Sequence, residues 1–153
     1  MTRPISFNEG ELVVFDLDDT LYPEWQFLHS GIHHIIKKFE LNNSMRSTHF
    51  YASQKDWIHF LINENSLTLT DQLVSDVLEE YRNHVPSITL REGALQLLRV
   101  LKERRCSIGL ITDGRSNTQR NKLSSLGIDK FFDQIVISEE LGSEKPSFEN
   151  FNC

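Results

Sequence analysis

Three short apolar runs stand out along the chain, and the stretches between them are patterned at helical spacing. The first run, Leu12-Val-Val-Phe-Asp-Leu17, is continuous and ends in acid. That pattern predicts a strand buried on both faces, as in a parallel sheet. Cys106-Ser-Ile-Gly-Leu-Ile-Thr112 and Gln134-Ile-Val-Ile-Ser138 read the same way. Thr89-Leu-Arg-Glu92 has the form of a capping box opening a helix through about Arg104, with Leu95, Leu98 and Leu101 on one face. Ser116 to Leu126 predicts another helix, stopped by Gly127 where a left-handed residue is usual. Strand, helix, strand, helix, strand implies a parallel α/β sheet.

The texture changes between Pro23 and about Ser87, where no strand-like run occurs. Leu28, Ile32, Ile35, Ile36 and Phe39 fall at helical spacing, as do Trp57, Ile58, Leu61 and Ile62. Leu73, Val74, Val77, Leu78 and Tyr81 form a third set. Polar breaks at Leu41-Asn-Asn-Ser44 and Asn63-Glu-Asn-Ser66 separate them. The expectation is an inserted module of three or four helices over 23–87. The sheet-forming remainder is then 1–22 with 88–153.

Composition narrows the class without naming a chemistry. The 153 residues suit one domain, or a core with a small inserted module, and 39% hydrophobic with 25% charged is ordinary for a globular protein. A net charge of −6 with scattered basic residues gives no reason to expect a nucleic-acid partner. No apolar stretch approaches the roughly 20 residues that span a bilayer, so no membrane partner is expected. The N-terminal residues lack the apolar segment of a secretory signal, and Cys106 and Cys153 have neither disulfide-framework nor metal-ligand spacing. The expected compartment is a reducing cytoplasm.

The chemistry concentrates in Asp16-Leu-Asp-Asp-Thr20. A calcium loop counted from Asp16 would need glycine at its sixth place and glutamate at its twelfth; Leu21 and Phe27 stand there instead. A polar turn with helix-capping aspartates remains the plain alternative on this stretch alone. Two further segments weigh against it. Thr112-Asp113-Gly114 ends the second run, and Glu144-Lys145-Pro146 follows the third. In an open parallel sheet the carboxyl ends of the strands share one crevice. Two acids, a hydroxyl and a lysine there suit phosphoryl transfer. Asp16 would attack phosphorus as a carboxylate nucleophile. Strand alternation would return Asp18 to the same side, as general acid and base. Thr112 would donate to a phosphoryl oxygen, and Lys145 would neutralise the phosphate and Asp16. Magnesium would bridge Asp16 and the phosphate.

Those three segments resemble motifs one, two and three of the haloacid dehalogenase superfamily, and Gly127 to Phe151 is similar to that family's text between its second and third motifs. The resemblance implies a Rossmann-like α/β core of about three main strands carrying an all-helical type 1 cap, inserted immediately after the first motif. It implies Asp16 as nucleophile and Asp18 as general acid/base. Thr112, Asp113, Gly114 and Lys145 become the phosphate-holding set, and the Asp16 side chain with the Asp18 carbonyl the metal ligands. The aspartate at position 18 resembles the phosphatase and phosphotransferase branches rather than the dehalogenases. The implied partner is a small phosphorylated metabolite, and the implied cofactor is Mg2+.

The family's fourth motif, an acidic pair after a further strand, has no counterpart in the eight residues after Lys145. The sequence as it stands therefore sets three expectations: weak metal binding, an exposed first strand, and self-association as a homo-oligomer through Val13-Val-Phe15. It also leaves open two rivals to an active phosphatase. One is a catalytically silent remnant or interaction module, and the other an enzyme completed in trans by a partner. Among lesser candidates, His33 and His34 point about 100° apart on a helix and are read as surface histidines. Trp25, Trp57 and Phe60 are read as helical core. Ser116 or Asn117 is read as a helix cap, and Glu139-Glu140 as a solvated turn.

Overall fold

The computed structural model describes residues 7–41 and 57–145. The break at Leu41 to Ser44, a fourth helix of the insertion, Pro146 and Cys153 fall partly or wholly outside them. The chain divides into two compact units, Met1–Pro23 with Thr89–Cys153 and Glu24–Ile88.

The first, the sheet unit, holds strands β1 (Leu12–Phe15), β2 (Ser107–Thr112) and β3 (Gln134–Ile137). They are parallel, in the order β1-β2-β3. Phe15 lies beside Leu110 and Thr112 beside Ile137, so the chain leaves all three strands at one end of the sheet. β2, central, is buried along all but its first residue. The expectation of burial on both faces holds there and fails for β1, where Leu12 is 68% and Val14 43% exposed, as the separate expectation of an exposed first strand has it. β1 has a single strand neighbour among the described residues, and that is the reason its apolar run reaches the surface.

The unit's core is aliphatic: Leu17, Leu98, Leu101, Ile108, Leu110, Leu123, Ile128 and Ile137 are buried. Burying one such side chain contributes about 1.5–3 kcal/mol. Trimming Leu110 in the middle of β2 would therefore cost about 2–5 kcal/mol. At the opposite end of the sheet Asp133 accepts from the Ile108 amide (2.8 Å) and from Lys102 (2.6 Å).

The helical unit holds α1 (Trp25–Lys38), α2 (Trp57–Glu64) and α3 (Asp71–Asn83). Its core is Ile32, Ile35, Ile36, Ile58, Leu61, Ile62 and Val77, the residues that the periodicity placed on inward faces. Thr70 caps α3 by accepting from the Leu73 amide. Gly31 lets α1 meet Tyr81 closely: a Cβ there would lie 2.4 Å from the Tyr81 ring. Trp57 and Phe60 pack on this core as expected, whereas Trp25 is 59% exposed and belongs to no core. His33 is exposed, and His34 pairs with Glu80 (3.1 Å).

In the sheet unit α4 (Ala94–Glu103) and α5 (Ser116–Leu126) follow the expected positions. The capping box before α4 does not form, because Gly93, with φ of 80°, takes the cap position and Arg91 accepts from Ala94. Gly127, with φ of 65°, closes α5 as expected. A 3-10 turn (Asp129–Phe131) precedes β3, and a one-turn helix α6 (Ser138–Leu141) occupies the expected solvated turn. No described helix is long and apolar enough to cross a membrane.

Candidate active site

The acidic stretch leaves β1 as a turn closed on the Leu17 carbonyl, which accepts from Thr20 (3.4 Å) and Leu21 (3.0 Å). The turn requires Asp19 at φ of 55°, a left-handed value that aspartate tolerates better than most side chains. The Arg91 amide donates to the Leu21 carbonyl (2.8 Å) and ties the turn to the returning chain. Leu17 is fully buried while Asp16 and Asp18 keep partial exposure, which follows the expected alternation.

Lys145 reaches this turn. Its ammonium donates to Asp16 Oδ1 and to the Ile111 carbonyl (3.2 Å), so it sits where β2 ends. Asp113 holds Lys145 from behind, accepting from its backbone amide (3.0 Å). Thr20 donates to the other oxygen of Asp16 (3.3 Å). The Asp16 side chain remains 37% exposed, open enough for a ligand to approach.

Asp18 is placed differently. Lys122 (2.6 Å) and Tyr22 donate to its Oδ1, and Gln119 donates to its Oδ2 (2.7 Å). Lys122 is a buried lysine, its side chain only 6% exposed. Burial works against the charged form of Asp18, yet Lys122, Tyr22 and Gln119 outweigh it and hold the carboxyl below its ordinary range. The same Gln119 nitrogen, with two hydrogens to share among its three acceptors, also lies 2.6 Å from Thr112 Oγ1 and 2.9 Å from the Asp113 carbonyl. Gly114, at φ of 136°, donates its amide to Ser138 Oγ (2.9 Å). A Cβ on Gly114 would meet Gln119 at 3.3 Å.

Asp16, Asp18, Thr112 and Lys145 are thus gathered at one end of the sheet, with Asp113 and Gly114 bracing the group. Sequence reasoning missed Tyr22, Gln119 and Lys122. The signal was present: Gln119, Lys122 and Leu123 share one face of α5, which buries two long polar side chains beside a leucine. The cap of α5 was also misread. Neither Ser116 nor Asn117 supplies it; Glu139, from α6, accepts from the Ser116 amide (2.7 Å). Glu140 forms a two-bond pair with Arg120 (2.7 and 2.8 Å) and accepts from Ser116 Oγ. These bonds hold α6 to α5. A cleft of about 520 Å3 opens beside the Thr112–Gly114 turn, lined by Arg115, Ser138, Glu139 and Glu144 among others.

The carboxylate of Asp16 and the carbonyl of Asp18 are hard oxygen donors of the kind magnesium takes. Among the described residues no cluster of three or more acidic, histidine or cysteine side chains could hold a metal. Magnesium commonly keeps several waters and binds through one or two carboxylates plus a substrate phosphate, so a short protein set is compatible with it.

The chain belongs to the haloacid dehalogenase-like hydrolase family, whose model matches residues 13–152. It is similar to the glyceraldehyde 3-phosphate phosphatase of Methanocaldococcus jannaschii, at 30% identity over 91% of this chain and 67% of the relative. It is also similar to the pyrophosphatase PpaX of Bacillus pumilus, at 26% identity over 88% of this chain and 62% of the relative. The chain therefore spans about two thirds of the length of these relatives or slightly less. Among solved structures, the magnesium-bound HAD-hydrolase YfnB of Bacillus subtilis shares the fold. Its TM-score is 0.64 at 21% identity, over 95% of this chain and 71% of that one.

Proposed function

We propose that the chain is a phosphatase-type hydrolase of small phosphorylated metabolites, working through an aspartyl-phosphate on Asp16. The observation that carries this reading is the lysine-paired, accessible Asp16 beside Asp18 and Thr112 at the carboxyl end of the sheet. The phosphatase relatives support it from outside the structure. On this reading residues 1–22 and 88–153 form the catalytic core, and 23–87 the specificity-setting cap.

An oxygen of Asp16 attacks phosphorus, the bond from phosphorus to the leaving-group oxygen breaks, and Lys145 offsets the negative charge gathering on the phosphoryl group. Asp18 in its protonated form gives its proton to the departing alkoxide, which leaves as an alcohol; the proton that Asp18 later takes from water restores that form. Thr112 accepts from Gln119, which leaves its own hydroxyl hydrogen to donate to a phosphoryl oxygen. Asp18, held as a carboxylate, takes a proton from water as that water attacks the aspartyl-phosphate, releasing phosphate and regenerating Asp16. Asp16 and the Asp18 carbonyl would hold magnesium, which when bound screens the repulsion between carboxylate and phosphate.

The test is hydrolysis of p-nitrophenyl phosphate with magnesium, comparing wild type with Asp16→Asn. Its leaving group departs without a proton, so the assay reads the nucleophile and the water step. Turnover lost on Asp16→Asn supports the proposal. No turnover at any magnesium concentration favours a silent, interaction-type protein.

A further inference from the structure

Gln119 and Lys122 lie three residues apart on α5, both at least nine-tenths buried, and both end on the first-motif acid that the proposed chemistry needs as its base. An ionised carboxylate offers about four acceptor positions. Lys122 and Tyr22 fill those of Oδ1, and Gln119 takes one on Oδ2. A single lone pair of Asp18 is left to take a proton, and its direction is fixed by the other three.

The Gln119 amide has one workable orientation. Its nitrogen faces three acceptors, on Asp18, Thr112 and Asp113. Turning the amide over would set its oxygen against the Asp18 carboxylate and the Asp113 carbonyl, a greater cost than the orientation shown, which leaves Oε1 buried without a partner. Because Thr112 Oγ1 receives this nitrogen, its own hydrogen must point to another acceptor. One side chain therefore orients both the proton acceptor and the hydroxyl donor. Gly114 belongs to the same device, since a larger residue there would press on Gln119.

Stability alone accounts poorly for this choice of residues. A buried ion pair is often no better for stability than an apolar pair of equal volume. The rest of the buried α5 face is already apolar at Leu123. Resting on the phosphatase reading above, we infer that Gln119 and Lys122 are positioning residues that lock Asp18 and Thr112 into one mutual arrangement for the water-attack half of the reaction.

The experiment compares the whole chain with Gln119→Met, Lys122→Met and Lys122→Arg, using p-nitrophenyl phosphate and magnesium, with Asp16→Asn as control. Gln119→Met keeps length and apolar bulk, so it removes the amide without adding a charge. Expected is a fall in kcat of about 10- to 100-fold for both methionine variants, the usual scale for outer-shell partners. KM should move less than about twofold. Lys122→Arg should recover part of the loss, because a guanidinium also donates to Asp18. Lys122→Met is expected to lower thermal stability on either account, so the deciding readout is kcat per folded molecule: a purely structural role would lower only the active fraction and leave that value unchanged. Unchanged kcat per folded molecule in Gln119→Met and Lys122→Met, with turnover still dependent on Asp16, overturns the inference and leaves the phosphatase reading intact. Absence of any Asp16-dependent turnover in wild type overturns both. If Lys122→Met does not fold, Gln119→Met and Lys122→Arg decide the matter alone.

Discussion

The two units solve the burial problem with different materials. The helical unit buries branched aliphatics from α1, α2 and α3, among them Ile32, Ile35, Leu61 and Ile62, and among the described residues His84 is its one buried polar side chain. The sheet unit has an equally apolar centre, but the end where its strands finish is built from charge. Four of the five buried polar side chains among the described residues, Thr112, Gln119, Lys122 and Ser138, gather there. Apolar burial is tolerant, because any side chain of suitable size contributes. A buried charge network is intolerant, because each member is a cost unless its partners are present. The difference sets the end of the sheet apart as the part of the fold whose burial depends on specific partners rather than on apolar bulk.

The strongest test of that contrast is the removal of one charge. Lys122→Met leaves the Asp18 carboxylate without its counter-ion, and deleting one partner of a buried pair costs about 3 kcal/mol or more. Urea denaturation of the sheet unit, followed by a probe on that unit, reads the loss. Adding Asp18→Asn should restore part of it, so the two substitutions are expected to be non-additive by about 1 kcal/mol or more. Strict additivity would show that the two groups do not interact.

Ile35→Ala addresses the other side. Ile35 is fully buried in the helical core, and its truncation is expected to cost about 2–4 kcal/mol without any pH dependence. A second mutation elsewhere in the helical core, more than about 7–10 Å away, should simply add. Gly31→Ala should cost less, about 1–2 kcal/mol. The added methyl collides with the Tyr81 ring, yet alanine recovers nearly 1 kcal/mol of helix propensity. A stabilised variant would mean that the ring moves aside freely.

Legibility follows the same division. The helical faces repeat every three or four residues, so Leu28 to Phe39 and Leu73 to Tyr81 announce their helices from local spacing alone. The strands β2 and β3 were readable for the same reason, as short β-branched runs. Asp16, Asp18, Thr112 and Lys145 were readable because family motifs single them out. Gln119, Lys122 and Tyr22 were not, because their significance lies in a pairing across 101 and 104 residues for the first two. A glutamine and a lysine on a helix look like solvated residues until the strand they face is known. Trp25 failed in the opposite sense, being large and apolar yet exposed. The capping box before α4 failed because a left-handed glycine at position 93 offered the backbone another way to start the helix.

The smallest expected effect lies at the far end of the same sheet, where charge is present but not buried. Asp133 accepts from Lys102 and from the Ile108 amide, and these bonds hold its carboxyl below the ordinary range against a slight opposing effect of burial. A carboxyl whose folded value is depressed stabilises the fold above its unfolded value, near pH 4, and loses that contribution as pH falls through the lower folded value. Both partners are substantially exposed, 34% for Lys102 and 55% for Asp133, so solvent screening limits the pair to about 0.2–1 kcal/mol. Asp133→Asn keeps an acceptor for the Ile108 amide and removes only the charge. At pH 7 the variant should therefore unfold at slightly lower urea than wild type, and the gap should narrow and close as pH falls below the ordinary carboxylate range through the lowered folded value. Raising salt to about 1 M at pH 7 should narrow it as well, since exposed pairs are screened at that ionic strength. A gap that persisted at low pH would assign the effect to the amide contact instead, and the charge at this end of the sheet would then contribute nothing measurable.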